Sequence, residues 1–262
     1  MNTTTPLQQE IPKIDASASK ASGICGYIIA TYVWTIVPLL TIFFASLILL
    51  VTPIALATDR RRNLLHKVAT WWAKSIIQCN PWWTFEVFGK ENLPEENTPV
   101  VYVANHQSQA DILAVFLINR QFRWLAKDSL FKIPFFGWAM RAVGYVPVKR
   151  GDKRSQIRCF RRAREHLEQG TSMLFFPEGT RSNDGKLHTF KNGAFRLAAN
   201  ARVGVMPITL EGVSNLLPKG SMIPSVATVR ITVHPVIPSA NTIESQVISR
   251  AKEAIASALI QK

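Results

Sequence analysis

Two short stretches carry residue types that can do chemistry. In NHQSQAD (residues 105–111), His106 and Asp111 stand five positions apart. Histidine is the side chain best suited to take a proton near neutral pH. A carboxylate on its second ring nitrogen would fix the tautomer and stabilise the imidazolium. The same spacing also fits a plain turn, with Asp111 helping to cap a helix and His106 a satisfied loop residue. In FFPEGTRSNDG (175–185), Pro177 and Gly179 force a turn, and Glu178, Thr180, Arg181 and Ser182 crowd polar groups onto it. Arg181 offers a planar fork of donors matched to phosphate oxygens. Lys191 adds a second cation at the start of a helix, whose N-terminus also favours anions. The plainer alternative is a surface turn with Arg181 ion-paired to Glu178.

The chain has no G-x-S-x-G elbow, no P-loop, no His/Cys set at metal-ligand spacing and no dinucleotide fingerprint. A base without an enzyme nucleophile points to a substrate hydroxyl that attacks directly. A cationic turn points to a substrate that carries phosphate.

Both stretches follow apolar runs that read as strands. WWTFEVF (82–88), Val100–Ala104, FRWLA (122–126), YVPV (145–148), TSMLFF (171–176), VGVMPITLEG (203–212) and ATVRITV (227–233) have strand character. Helical stretches lie between them at 110–119, 134–142, 155–170 and 192–201. Within 155–170 the apolar stripe reads as Ile157, Phe160, Ala163 and Leu167, and Gly170 ends the helix. Asn241 and Glu244 have capping-box spacing before a last helix carrying Val247, Ala251, Ile255 and Leu259. This alternation predicts an α/β fold, a mixed and largely parallel sheet covered by helices. In such sheets ligands bind beyond the C-terminal strand ends, where both polar stretches fall.

The N-terminal region reads differently. Residues 1–23 form a polar tail. Residues 24–59 form a hydrophobic membrane-anchoring helical segment, with no charge from Ile24 to Ala57. That is longer than the roughly 20 residues a bilayer core needs. Pro38 and Pro53 leave two forms open, one tilted span or a re-entrant hairpin bent near Pro38. Arg60, Arg61 and Arg62 follow and favour the cytoplasmic side. Residues 60–262 are the catalytic domain. Its first helix, 60–78, has an apolar side of Leu64, Leu65, Val68, Trp71, Trp72 and Ile76, with Arg61, His66, Lys67 and Lys74 elsewhere. It suits a membrane interface and a domain core equally.

The 31 Lys and Arg residues outnumber 17 Asp and Glu, for a net charge of +14. Such a surplus suits an anionic partner such as membrane lipid or phosphate esters. No nucleic-acid-binding motif is present. Three scattered cysteines form neither a disulfide framework nor a metal pair.

Taken together, the motifs resemble those of the 1-acyl-glycerol-3-phosphate acyltransferases. Asn105-His106-x4-Asp111 with Ser108 matches the family's first block. Lys127, Leu130, Pro134, Gly137, Gly144 and Arg150 match the second, although Ser129 stands where the family often has Glu. Phe176-Pro177-Glu178-Gly179-Thr180-Arg181-Ser182 matches the third, and Val205-Met206-Pro207-Ile208 resembles the fourth. The resemblance implies transfer of an acyl chain from acyl-CoA or acyl-carrier protein to the sn-2 hydroxyl of lysophosphatidic acid. His106 would be the base and Asp111 its orienting partner. Arg181, Lys127 and Lys191 would hold phosphate, while Asn105, Glu178, Gly179, Thr180 and Ser182 shape the acceptor site. No metal or cofactor is implied. Glycerol-3-phosphate or another lysophospholipid is the alternative acceptor, and a membrane-tethered basic binding module is the non-enzymatic alternative. The cationic helix with Arg154, Arg158, Arg161, Arg162 and Arg164 would meet anionic lipid or an acidic carrier protein, or is simply a solvated face.

Overall fold

The computed structural model describes residues 23–149, 151–182, 186–217 and 221–259. The tail 1–22 and Arg150 of the second motif block lie outside the described residues.

Seven strands form one sheet in the order β1-β7-β6-β2-β5-β3-β4. They are β1 (Trp83–Phe88), β2 (Val101–Ala104), β3 (Phe122–Lys127), β4 (Val146–Val148), β5 (Ser172–Phe175), β6 (Val205–Glu211) and β7 (Ala227–Val233). All neighbours run parallel except β6 and β7. The central strands β2 and β5 are buried at every position, which is why they read as unbroken apolar runs rather than alternating ones.

Helices cover both faces. They are α1 (Gly23–Thr58), α2 (Asn63–Gln78), α3 (Asp111–Phe116), α4 (Phe136–Val143), α5 (Lys153–Glu168), α6 (Gly193–Ala201), α7 (Val213–Leu216) and α8 (Glu244–Ser257). Tyr102, Leu174 and Met206 point from the sheet into a core shared with α1, α2, α3 and α4. Val101, Val103, Met173, Phe175 and Val205 point the other way, into a core shared with α5, α6 and α8. The crossover from β2 through α3 to β3 passes β5, and the crossover from β5 through α6 to β6 passes β2 in the opposite direction. The sheet therefore switches direction between β2 and β5, and a crevice opens there at the strand ends.

Several expectations need correction. Of the two forms left open for the apolar N-terminal segment, the hairpin bent near Pro38 does not form: Gly23–Thr58 is one continuous helix of 36 residues. It is long and apolar enough to cross a membrane. It also packs along the domain. Val33, Phe44, Ala45, Ile48 and Ala55 are buried at helical spacing, and α1 seats on α2 and α4. Each fully buried side chain of the size of Phe44 or Ile48 stabilises this docking by about 1.5–3 kcal/mol.

Helix α2 packs on the core through Leu65, Val68, Ala69, Ala73 and Ile76, leaving Leu64 and Trp71 exposed. His66, which the spacing grouped with the charges, is instead buried among Phe116, Phe122 and Tyr145. In α5 the buried stripe is Ser155, Cys159, Ala163 and Leu167, and Ile157 is 70% exposed. Asp152 caps this helix by accepting the Ser155 N–H, and Ala163 and Leu167 keep their expected places in the stripe while Ser155 and Cys159 replace Ile157 and Phe160. The capping box before α8 does not form: Asn241 lies at φ 59°, and Ile243 is the N-cap without a side-chain bond. Glu244 turns outward to Arg196 at 3.5 Å. Helix α7 and the 3-10 turns at 90–92 and 128–132 went unread in the sequence.

Candidate active site

His106 lies two residues past the end of β2. Its Nδ1 is 2.7 Å from Oδ2 of Asp111, the first residue of α3. The same oxygen accepts the backbone N–H groups of Gln107 and Ser108 at 2.7 and 2.9 Å. The catalytic and capping readings of Asp111 therefore describe one arrangement: the carboxylate closes the turn and holds the ring. Asp111 is fully buried, and its Oδ1 has no hydrogen-bond partner among the described residues. Phe176 stacks on the imidazole at 4.3 Å between centroids, a contact the sequence reading missed although Phe176 opens the third motif. With Nδ1 engaged, Nε2 is the ring atom left to exchange a proton.

The FPEGTRS loop follows β5, the strand paired with β2. It is tied to the His106 backbone at two points. Glu178 Oε1 accepts the His106 N–H at 2.8 Å, and Ser182 N–H donates to the His106 carbonyl at 2.7 Å. The second carboxylate oxygen of Glu178 accepts the His188 N–H at 3.0 Å. Glu178 is buried and is not ion-paired to Arg181, contrary to the plain surface-turn reading. Asn105 is likewise committed to backbone: its amide donates to the Leu210 carbonyl and accepts the Leu210 N–H, both at 2.8 Å, fixing the β2 end to β6.

One cavity of about 1090 Å³ gathers the remaining polar candidates. His106, Lys127, Gly179, Thr180, Arg181 and Lys191 line it. Asn105, Asp111, Glu178 and Ser182 do not; they stand behind its wall. Lys127 enters from the end of β3. Lys191 donates its backbone N–H to the Pro177 carbonyl and folds its side chain across Gly179. Gly179 has φ 73°, a left-handed backbone conformation that favours glycine, and the flexible end of Lys191 lies close above its Cα. Most of the remaining lining is apolar, and much of it comes from helices α1 to α4, including Val37, Phe44, Ile48, Trp72, Phe116 and Met140. That α1 walls this cavity was not legible in a segment that reads as a lipid anchor.

A histidine–carboxylate pair and a group of cations thus meet at the switch point of an α/β sheet, beside a largely apolar cavity, an arrangement that fits an acyltransferase. Residues 84–211 match the Acyltransferase family. The chain is 41% identical over 232 residues to a 1-acyl-sn-glycerol-3-phosphate acyltransferase of Chlamydomonas reinhardtii, covering 87% of this chain and 68% of that one. It is 44% identical over 194 residues to a chloroplastic counterpart from Arabidopsis thaliana, covering 73% of this chain and 54% of that one. The crystal structure of the 1-acyl-sn-glycerophosphate acyltransferase from Thermotoga maritima superposes with a TM-score of 0.75 at 26% identity, covering 90% of this chain and 98% of that one. The chain belongs to the 1-acyl-sn-glycerol-3-phosphate acyltransferase family.

Proposed function

We propose that this enzyme transfers an acyl chain from an acyl thioester, on coenzyme A or an acyl-carrier protein, to the sn-2 hydroxyl of lysophosphatidic acid. The observation that carries this reading is the meeting, in one cavity, of the His106–Asp111 pair, the Arg181–Lys191 cations and an apolar wall. The acceptor phosphate sits among Arg181, Lys191 and Lys127, and its free hydroxyl faces His106 Nε2. His106 takes the hydroxyl proton as the oxygen attacks the thioester carbonyl carbon. Asp111 stabilises the imidazolium so formed. The tetrahedral intermediate collapses as the C–S bond breaks, and His106 returns the proton to the leaving sulfur. The products are phosphatidic acid and a free thiol, and the enzyme ends as it began.

Membrane association follows from α1. Helix α1 is long and apolar enough to cross a membrane, and along part of its length it also packs on the domain. Leu39, Ile42, Phe43 and Leu50 turn outward to lipid, and the domain rests on the cytoplasmic face, where the exposed Arg60 meets anionic headgroups.

The test is an assay of purified protein in vesicles with labelled lysophosphatidic acid and both thioester types. Labelled phosphatidic acid with the new chain at sn-2 is expected. Failure to acylate lysophosphatidic acid while acylating glycerol-3-phosphate or another lysophospholipid would move the acceptor to that compound.

A further inference from the structure

Helix α5 has two faces with different surroundings. Its inner face is part of the reaction site, since Gln156 and Phe160 line the catalytic cavity. Its outer face carries Arg154, Arg158, Arg161 and Arg162 at successive helical positions, all exposed. Ile157 lies between them and is 70% exposed. Arg161 pairs with Glu165 at 3.8 Å and Arg164 with Glu168 at 2.7 Å, both at the far end of the helix. Arg154, Arg158 and Arg162 make no ion pair among the described residues.

Beside this face runs a groove of about 460 Å³ between α5 and α6, lined by Phe160, Arg161, Arg164, Asn192 and Arg196. Phe160 and Gly193 line both this groove and the catalytic cavity. A Cβ on Gly193 would come 2.5 Å from Phe160 Cζ, so glycine lets the ring rest on α6 as the partition between the two spaces. The cationic surface thus reaches the edge of the cavity.

An apolar residue ringed by arginines has the form of a docking surface for a protein with acidic side chains around an apolar contact. A bilayer fits less well. The large exposed apolar residues of α1 and of α4 with the residue before it, such as Phe43, Leu50, Phe135 and Trp138, belong to the layer on the other face of the sheet. A membrane seated there leaves α5 facing water.

We propose that the outer face of α5, with Ile157 as its apolar contact, docks a soluble acidic protein that carries the acyl thioester. Resting on the acyl-transfer reading above, this assigns the α5–α6 side of the cavity to the donor. The carrier's thioester-bearing arm enters past Phe160 toward His106, while the acceptor enters from the α1–α4 side.

The test compares two donors with the same acyl chain: an acidic acyl-carrier protein and acyl-pantetheine, which has no carrier. The variant R154E/R158E is expected to raise KM for the carrier-bound donor at least about tenfold, because like charges then face each other across the interface. Transfer from acyl-pantetheine should be unchanged. Ile157→Ser should do the same more weakly and without altering salt dependence. A direct titration of labelled carrier protein, with no acyl chain attached, should show binding to the native enzyme that weakens steeply with salt and disappears in R154E/R158E. Carrier binding without transfer from any donor would remove the acyl-transfer reading and leave the docking face in place. Unchanged carrier binding in the charge-reversed variant, an equal loss with both donors, or loss of binding to anionic vesicles in place of carrier binding would overturn the docking assignment.

Discussion

Glu178 grips the backbone of His106. Its Oε1 accepts the His106 N–H at 2.8 Å from 72 residues away in sequence, while Oε2 accepts the His188 N–H at 3.0 Å. The loop expected to touch the acceptor thus first positions the base. Its second and third polar members, Thr180 and Arg181, line the cavity. The FPEGTRS loop thus buries Glu178 and Ser182 against the His106 backbone and leaves Thr180 and Arg181 exposed between them.

Glu178→Ala should accordingly cost stability as well as turnover. It strips two part-buried backbone N–H groups of their acceptor, and a fully buried unpaired donor costs about 1–3 kcal/mol, a partly solvated one less. Denaturant unfolding should show a loss of about 1–3 kcal/mol, and kcat should fall with little change in acceptor KM. Unchanged stability with a selective rise in acceptor KM would return Glu178 to direct substrate contact.

The two roles of Asp111 can be separated by substitution. Asp111→Asn keeps an acceptor oxygen for the Gln107 and Ser108 N–H groups but cannot supply the charge that stabilises the imidazolium. Activity should fall about 10²–10⁴-fold with a modest loss of stability. Asp111→Ala should lose comparable activity and unfold at clearly lower denaturant, because the turn is opened too. If Asn and Ala variants matched the native enzyme in rate, the pair would not be the catalytic base system.

Much of this arrangement could be read from the sequence. Apolar runs placed the strands, since β2 and β5 are buried on both faces and admit little else. The order of the motifs then put His106 and Arg181 at adjoining strand ends. What the sequence could not convey was which partner an atom prefers. Glu178 beside Arg181 reads as an exposed ion pair, because backbone N–H groups that fold in from another strand leave no trace in residue type. His66 reads as surface for a similar reason. Its neighbours Lys67 and Arg61 are polar, but its own position faces Phe116 and Phe122. In α5, the small side chains Ser155, Cys159 and Ala163 take the inner face with Leu167, and the larger Ile157 lies outside, which an apolar count does not show.

The cations of the cavity should act on binding more than on chemistry. Arg181→Ala is expected to raise the acceptor KM while leaving kcat within a few-fold, since a phosphate contact made equally in the ground and transition states contributes only to affinity. Arg181→Lys should recover part of the loss, because lysine keeps the charge without the fork. Discrimination between lysophosphatidic acid and the corresponding phosphate-free monoacylglycerol should shrink in both. A rise confined to the thioester KM would place Arg181 at the donor instead.

Three histidines make stability depend on pH. Burial pushes His166 and His234 down to about 4, and the Arg123 charge adds to the effect at His166. Burial also holds His66 well below its ordinary value, again with Arg123 contributing. In the unfolded chain each titrates near about 6.5. Because the folded values are the lower ones, the unfolded chain binds more protons between about pH 6.5 and 4. Stability is therefore full above about 6.5 and is lost as pH falls toward 4. Urea midpoints should be level from pH 8 to 7 and fall steadily below 6.5. Replacing His234, which meets Thr209 Oγ1 at 2.8 Å, with Gln should flatten part of that slope. A midpoint constant from pH 7 to 4.5 would show that these rings are not held neutral.

Helix α1 is both apolar surface and cavity wall, and the two roles predict different results. As an anchor alone it could be removed to leave a soluble domain, residues 60–262, with its activity intact. As a wall it supplies Phe44, Ala45 and Ile48 to the core, and Thr41 Oγ1 accepts the Trp72 indole N–H at 3.0 Å. Burial of Phe44 and Ile48 alone is worth about 3–6 kcal/mol, a large part of the 5–15 kcal/mol that holds a typical domain together. The truncated chain should aggregate or lose activity even in detergent. Because loss of folding would not by itself identify the wall, Ala45→Leu is the sharper variant. It leaves the helix apolar and its lipid-facing side unchanged, but fills space where Ala45 lines the cavity. Vesicle binding should be unaffected, while the preferred acyl chain becomes shorter. An unaltered chain-length profile would mean that the acyl chain does not run along α1.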